Sequence, residues 1–148
     1  EKQKVKRMYG VLEKQFHEYY EKAKAMQGAT GENMLILIER RLDNVVYRMG
    51  IGASRKQCRQ MVNHGLITVN GKRVNIPSYR VKAGDVIAIK ENKQDNEIFK
   101  GLRGSKVVMP KWVEFDTNTF TGKVVALPTR EDIDSDIKEQ LIVELYSR

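Results

Sequence analysis

The chain has few of the residues on which small proteins build chemistry. Among 148 residues there is one cysteine, Cys58, and there are two histidines, His17 and His64. A single thiol excludes an internal disulfide and a cysteine-based zinc site, and it fits a reducing compartment. The histidines lie far apart in sequence with no cysteine partners, so neither a metal nor a cofactor is expected. The longest apolar run, Met34 to Ile38, is far too short to span a bilayer. No signal peptide opens the chain. It starts at Glu1 already inside a helical pattern, which leads us to expect that an amino-terminal segment is missing. No G-x-S-x-G, P-loop or metal-ligand pattern occurs.

What the chain does have is positive charge. The net charge is +8 and the pI about 9.6, which points toward a polyanion. The distribution is uneven. Residues 1–30 hold seven Lys/Arg against four Asp/Glu, residues 31–90 eleven against four, and residues 91–148 nine against eleven. From Arg40 to Lys82 there are ten cations and a single acid, Asp43. A merely solvated surface would interleave carboxylates, so this stretch reads as a phosphate-binding surface.

Hydrophobic spacing organises the chain. Val5, Met8, Leu12, Phe16, Tyr19, Tyr20 and Ala23 recur on one side of a helical wheel and predict a long helix over 2–26, ended by Gly28 to Gly31. A second helix is expected over 32–49, with a domain boundary near Glu39 and with Arg41 and Arg48 along one edge of its apolar stripe. Ser54 is a fitting N-cap for a third helix that ends at Gly65. Cys58, Met61 and Val62 fill a narrow sector of that helix, while Arg55, Lys56, Arg59, Gln60, Asn63 and His64 occupy the opposite half. Strands are expected at 66–69 and 73–76 around the Asn70-Gly71 turn, whose central residues need positive φ. Further strands are expected at 86–89, 107–108, 112–115 and 123–127. A last helix, capped by Thr129 or Ser135, should bury Ile137, Leu141 and Leu145.

Arg55 and Arg59, four apart on one helix, can reach successive phosphate oxygens. Arg41, Arg48, Lys72, Arg73, Arg80 and Lys82 fall in the same compact unit. Ser54, Gln60, Asn63 and His64 add hydrogen-bonding reach toward ribose or base edges, although Asn63 and His64 could equally just finish the helix. Asn70 reads as a turn residue whose tip exposes Lys72. Tyr79 suits either a base-stacking role or a lid on the core. Lys2, Lys4, Lys6, Arg7 and Lys14 form a second basic cluster, for which simple solvation is an alternative. Trp112 and Phe115 read as core. Arg41-Leu42-Asp43 resembles the segment around the catalytic aspartate of pseudouridine synthases, but Val46-Tyr47-Arg48 follows in place of their Ser/Thr-x-Gly-Leu. No enzyme is expected.

Arg41-Leu42-Asp43, Arg48-Met49-Gly50, Ser54-Arg55, Arg59 to Gly65, Ile67, Val69-Asn70-Gly71, Val74, Ile76-Pro77-Ser78-Tyr79, Val81 and Gly84-Asp85 resemble the S-four RNA-binding domain. The spacing is unbroken over more than forty residues. Cys58 and Leu66 depart from it, standing where a small residue and a histidine are usual. That domain also occurs in pseudouridine synthases, tyrosyl-tRNA synthetases and a heat-shock protein, so the flanks discriminate. Arg7-Met8-Tyr9-Gly10, Glu13-Lys14-Gln15-Phe16 and the ending Leu141 to Arg148 resemble the bacterial small-subunit ribosomal protein S-four family.

The resemblance implies an α+β fold. Residues 1–39 and 132–148 would form a discontinuous, all-helical domain. Residues 40–131 would be an inserted α/β domain of helices packed on a small, mainly antiparallel sheet, with its RNA-binding motif at about 40–100. Ser78 and Asn70 join the expected RNA contacts through the same motif. The resemblance further implies binding to 16S ribosomal RNA at a helical junction early in assembly, within the cytoplasmic ribosome. It implies contact with the fifth small-subunit protein, an influence on decoding accuracy, and a place near messenger RNA at the entry region, with no membrane association. The alternatives are a fragment of an RNA-modifying enzyme and an RNA-binding stress factor.

Overall fold

A computed structural model describes residues 1–147. Its first departure from periodicity is at Gly10. The glycine adopts φ 67, ψ 34 and its N–H bonds to the Lys6 carbonyl, a left-handed helix ending that costs glycine little. The helix expected over 2–26 is therefore two, α1 at Lys2–Tyr9 and α2 at Glu13–Ala25. Leu12 becomes the N-cap of α2 and is 74% exposed, while Val11 turns into the core.

The second expected helix is also broken. It divides into α3, Thr30–Glu39, and α4, Leu42–Arg48, because Arg41 takes an extended conformation with ψ 142. A helix start leaves N–H groups without partners, and here a distant segment supplies them. Leu42 N–H donates to the Tyr79 carbonyl at 2.8 Å and Asp43 N–H to the Pro77 carbonyl at 3.1 Å. Val81 N–H in turn donates to the Arg40 carbonyl.

The chain divides into two compact units, residues 1–39 with 128–148, and residues 40–127. The first is helical. Val5, Tyr9, Phe16, Tyr20, Met34, Leu35 and Ile38 pack with Ile133, Ile137 and Ile142, and Tyr9 Oη donates to Glu39 Oε2 at 2.6 Å inside this core. Thr129 caps only one 3-10 turn, Arg130–Asp132, where Asp132 Oδ2 accepts from the Thr129 N–H. The last helix, α6, starts later, at Glu139–Tyr146. Its inward face differs from expectation: Ile142 is buried, while Leu141 and Leu145 are 50% and 43% exposed. The buried position is thus Ile142 rather than Leu141, one residue or ~100° round the helix. Arg130 donates through Nε to Glu139 Oε2 at 2.6 Å and through Nη2 to the Ile137 carbonyl. That pairing draws residues 128–131, expected with the inserted domain, into the helical unit.

The second unit holds α4, then α5 at Arg55–Asn63 and a five-stranded antiparallel sheet. Its strands are β1 (Ile67–Val69), β2 (Lys72–Arg73), β3 (Val86–Ile89), β4 (Val113–Asp116) and β5 (Thr121–Val124), in spatial order β2-β1-β3-β5-β4. Together with the helices they make the fold α+β. Val69 pairs with Lys72 across the hairpin, and Ile67 pairs with Ile89 on the other side. Alternation puts Ile67, Val69, Ile87, Ile89, Val113, Phe115 and Val124 into the core with Trp112, Leu42, Val45, Met61 and Val62.

Three strands differ from expectation. The pairing after the hairpin stops at Arg73, and Ile76 is 56% exposed. Residues 107–108 form no strand, since Val108 projects entirely into solvent. β5 ends at Val124, leaving Val125 and Leu127 half-exposed beyond it. No helix among the described residues is long and apolar enough to cross a membrane.

Candidate nucleic-acid interface

Helix α5 begins as its sequence dictates. The Ser54 hydroxyl accepts from the Gln57 N–H at 3.1 Å, and Gln57 Oε1 reaches back to the Ala53 N–H at 2.6 Å. Two otherwise unpaired donors are thus satisfied, a cap that contributes ~1 kcal/mol. Cys58, Met61 and Val62 are fully buried beneath the helix, each large apolar side chain contributing about 1.5–3 kcal/mol. Burial pushes the Cys58 thiol up to about 12, which makes it an inert core residue. Lys56, Gln60, Asn63 and His64 are exposed on the opposite face.

The two arginines are fixed from α4. Arg55 Nε donates to Asn44 Oδ1 at 2.9 Å, and its guanidinium lies 4.5 Å above the Tyr47 ring. Arg59 Nε lies 3.4 Å from Asp43 Oδ2. Asp43 is held in turn: Arg41 grips both its oxygens, Nε to Oδ1 and Nη2 to Oδ2, each at 3.1 Å, and the Asn44 N–H donates to Oδ1 at 2.7 Å. The Arg41 and Asp43 side chains are 4% and 2% exposed. A forked pair of this kind fixes the orientation of both partners as well as contributing energy. The arrangement holds two cations at the helix flank before any ligand arrives, sparing the ordering cost of ~0.5–1.5 kcal/mol per long side chain on binding.

Other residues gather around this frame. Arg73, on the edge strand β2, lays its guanidinium over Gly65 at the carboxyl end of α5; a Cβ built there would sit 2.2 Å from Arg73 Nε. A cation is favourable at that end of a helix. Lys72 is exposed beside it. Arg40 feels the crowding, its pKa lowered first by burial and then by neighbouring Arg80. Arg48 is half-buried in the last turn of α4, and Ser78 and Tyr79 are half-buried in the segment that caps its first turn. Tyr79 packs against the core as a lid.

Some expected contacts have other work. Arg41 is internal, a brace for Asp43 that presents no surface. Asn70 sits at φ 52 in the hairpin turn, where its amide donates to Asp85 Oδ1 and its Oδ1 accepts from the Val86 N–H. Ser54 Oγ is committed to its cap. Asp43, on which an RNA-modifying reading would turn, is locked between two arginines and a backbone N–H.

The amino-terminal cluster lies in the other unit and is partly neutralised. Lys2 and Lys6 reach the two oxygens of Glu13 at 3.2 and 2.8 Å, and Lys4 Nζ donates to the Asp136 carbonyl. Lys6 above all, and Lys2 and the Tyr146 hydroxyl after it, hold the Glu13 carboxyl down at about 2. Arg7 is exposed.

Sequence reasoning missed Asn44 and Tyr47, the groups that orient Arg55. The one available signal was Asp43 itself, the only acid in a long cationic stretch. Among the described residues, no group of His, Cys, Asp and Glu could hold a metal ion.

Comparison with known proteins agrees with this architecture. The family model described as "S4 domain" matches residues 40–87, and that described as "Ribosomal protein S4/S9 N-terminal domain" matches residues 1–39. Three relatives named small ribosomal subunit protein uS4 align with the whole chain and with 72% of their own lengths. They come from Ruminiclostridium cellulolyticum (60% identical), Clostridioides difficile (57%) and Pelotomaculum thermopropionicum (54%). Family models that tile the first 87 residues, and identity of this level across the whole chain, lead to one assignment: the chain belongs to the uS4 family of small ribosomal subunit proteins.

Proposed function

We propose that this chain is a structural constituent of the small ribosomal subunit that binds 16S ribosomal RNA through the outer face of α5 and the adjoining hairpin, and is not an enzyme. The observation that carries the reading is the pair of arginines at Arg55 and Arg59, each oriented through its Nε by a buried residue of α4. Phosphate contacts of this kind position a protein on a nucleic acid, and the exposed Gln60, Asn63 and His64 supply donors and acceptors for ribose and bases. Lys56, Lys72 and Arg73 extend the cationic surface, with Arg48, Ser78 and Tyr79 at its margin and Lys4 and Arg7 as contacts from the helical unit. The chain binds at a helical junction early in subunit assembly, meets the fifth small-subunit protein, lies near messenger RNA at the entry region, and affects decoding accuracy. These finer statements rest on the family resemblance.

Filter binding tests the specific version. The chain should prefer naked small-subunit RNA over bulk tRNA by at least the ~10³-fold that separates specific from non-specific nucleic-acid binding. Equal competition by tRNA would reduce the reading to a general polyanion binder.

A further inference from the structure

The second unit has a cleft beside α5. Its floor is apolar, made by the buried Met61 and Leu66, and Ile98 lines it while remaining 44% exposed. Gln57, Gln60 and His64 line it from α5, at spacings of three and four that put them along one stripe of the helix. Asn96 completes the rim. Among the described residues, no charged side chain lines the cleft.

Both sides of the cleft are held in place. The Lys90 N–H donates to the Leu66 carbonyl at 2.8 Å, which ties the segment after β3 to the chain leaving α5. Gln94 Nε2 donates to the Ile89 carbonyl at 3.2 Å. A single 3-10 turn follows at Glu97–Phe99, capped by Asn96, whose Oδ1 accepts from the Ile98 N–H at 3.1 Å. Phe99 is buried in the core, so its neighbour Ile98 is left outside. The Asn96 oxygen is committed to this cap and Gln57 Oε1 to the Ala53 N–H. Both amides therefore offer the cleft their N–H donors, while the Gln60 amide and the His64 imidazole can donate or accept.

Size and surroundings select the occupant. The cleft holds about 210 Å³, less than the ~300–1,000 Å³ of sites for drug-sized ligands. It takes one ring system, not a whole small molecule. An apolar floor suits the face of a planar ring, amides at the rim suit its polar edge, and an imidazole can stack on it. Phosphates are provided for alongside: Lys56 is exposed four residues before Gln60 and is its neighbour on the helix. The carboxylates of Asp95 and Glu97 line a different concavity, together with Lys100 and Arg103.

We infer that this cleft takes one unstacked nucleobase of the RNA whose phosphates the outer face of α5 holds. The base lies on Met61, Leu66 and Ile98 and turns its edge toward Gln57, Gln60 and Asn96. Two of those amides have only donors to give, so an edge carrying carbonyl oxygens fits best. The inference rests on the proposed function, since it takes the same RNA as ligand. It adds Asn96 and Ile98 to the binding surface, beyond residues 40–87 matched by the S4 domain model.

The test compares the whole parent chain with Gln60→Ala/Ile98→Ala on naked small-subunit RNA, by affinity across a salt series and by base-specific chemical probing. Both replaced side chains are uncharged, so the slope of log K against log salt should keep its parent value. Affinity should fall about 5- to 150-fold at every salt concentration, the span of one lost base contact. One base that the parent protects should regain reactivity, with protection of the RNA backbone retained. Gln60→Ala alone, at an exposed helical position, should show a smaller change of the same kind and serves if the double variant fails to fold. Unchanged affinity and unchanged base reactivity in a folded variant overturn the cleft alone. If the parent itself shows no preference for this RNA, the proposed function falls and the inference with it. A variant that protects naked RNA as the parent does but enters subunits poorly marks the cleft as a protein-binding site, which also overturns the inference.

Discussion

Asp43 is the single carboxylate between Arg40 and Lys82, and it does two jobs from one buried position. It neutralises Arg41, which is as deeply buried as itself, and it lies against the Nε of Arg59 at the surface. The two partners differ in what they cost to lose. Replacing Asp43 by Asn removes the carboxylate that Arg41 grips with both nitrogens in the core, and breaking a buried pair of this kind should destabilise the second unit by about 3–5 kcal/mol. Arg59 is one-third exposed, and its replacement by Ala should cost no more than about 1 kcal/mol. Chemical denaturation of the two variants measures both. A loss below about 1 kcal/mol for Asp43→Asn would contradict the bracing role. This hub was not legible in advance: Arg41 and Asp43 are two apart in sequence, and Arg59 meets them only because α5 packs on α4.

At the scale of elements, the readable ones declared themselves locally. α5 has its own cap in Ser54 and a narrow apolar side in Cys58, Met61 and Val62. The hairpin has Asn70-Gly71, and both residues take positive φ. The elements misread depend on events that periodicity does not encode. The wheel runs through Gly10 without registering that glycine can close a helix there. α4 starts at Leu42 because carbonyls of Pro77 and Tyr79, far along the chain, accept its first N–H groups. α6 begins at Glu139, later than Thr129 and Ser135 suggested, and it buries Ile142 where periodicity alone put Leu141.

The junction of α1 and α2 carries a pH prediction. Lys2 on α1 and Lys6 on α1 converge on Glu13 at the first turn of α2. The folded-state pKa of Glu13, about 2, lies below the ordinary 4.5. The stabilisation is therefore whole above about pH 4.5, erodes below it, and is lost as pH falls through about 2. Glu13 is half-exposed, so salt screens the effect and keeps it small. The melting temperature of the parent should fall more steeply than that of Glu13→Gln between pH 4.5 and 2, with the difference shrinking in 1 M salt. Parallel curves would remove the junction from the account.

At the scale of the molecule, two compact units divide the work of folding differently. The helical unit joins the two ends of the chain around one core, with Val5 and Phe16 packed among Ile133, Ile137 and Ile142. The unit from Arg40 to Leu127 has a separate core under its sheet and carries most of the positive charge. The α+β class and the position of the cationic stretch could be read from the chain, because both follow from local pattern. Which cations are held in place could not, because Asn44, Tyr47 and Asp43 reach Arg55 and Arg59 only through tertiary packing.

The central claim is that this held pair contacts RNA phosphate. Its most direct measurement is the salt dependence of affinity for small-subunit RNA in the parent and in Arg55→Ala/Arg59→Ala, with circular dichroism to establish that both are folded. The account predicts unchanged spectra, weaker binding, and a slope of log K against log salt smaller by about 1.4–1.8, the loss of two phosphate contacts. Equal slopes and equal affinity in a folded variant would contradict it.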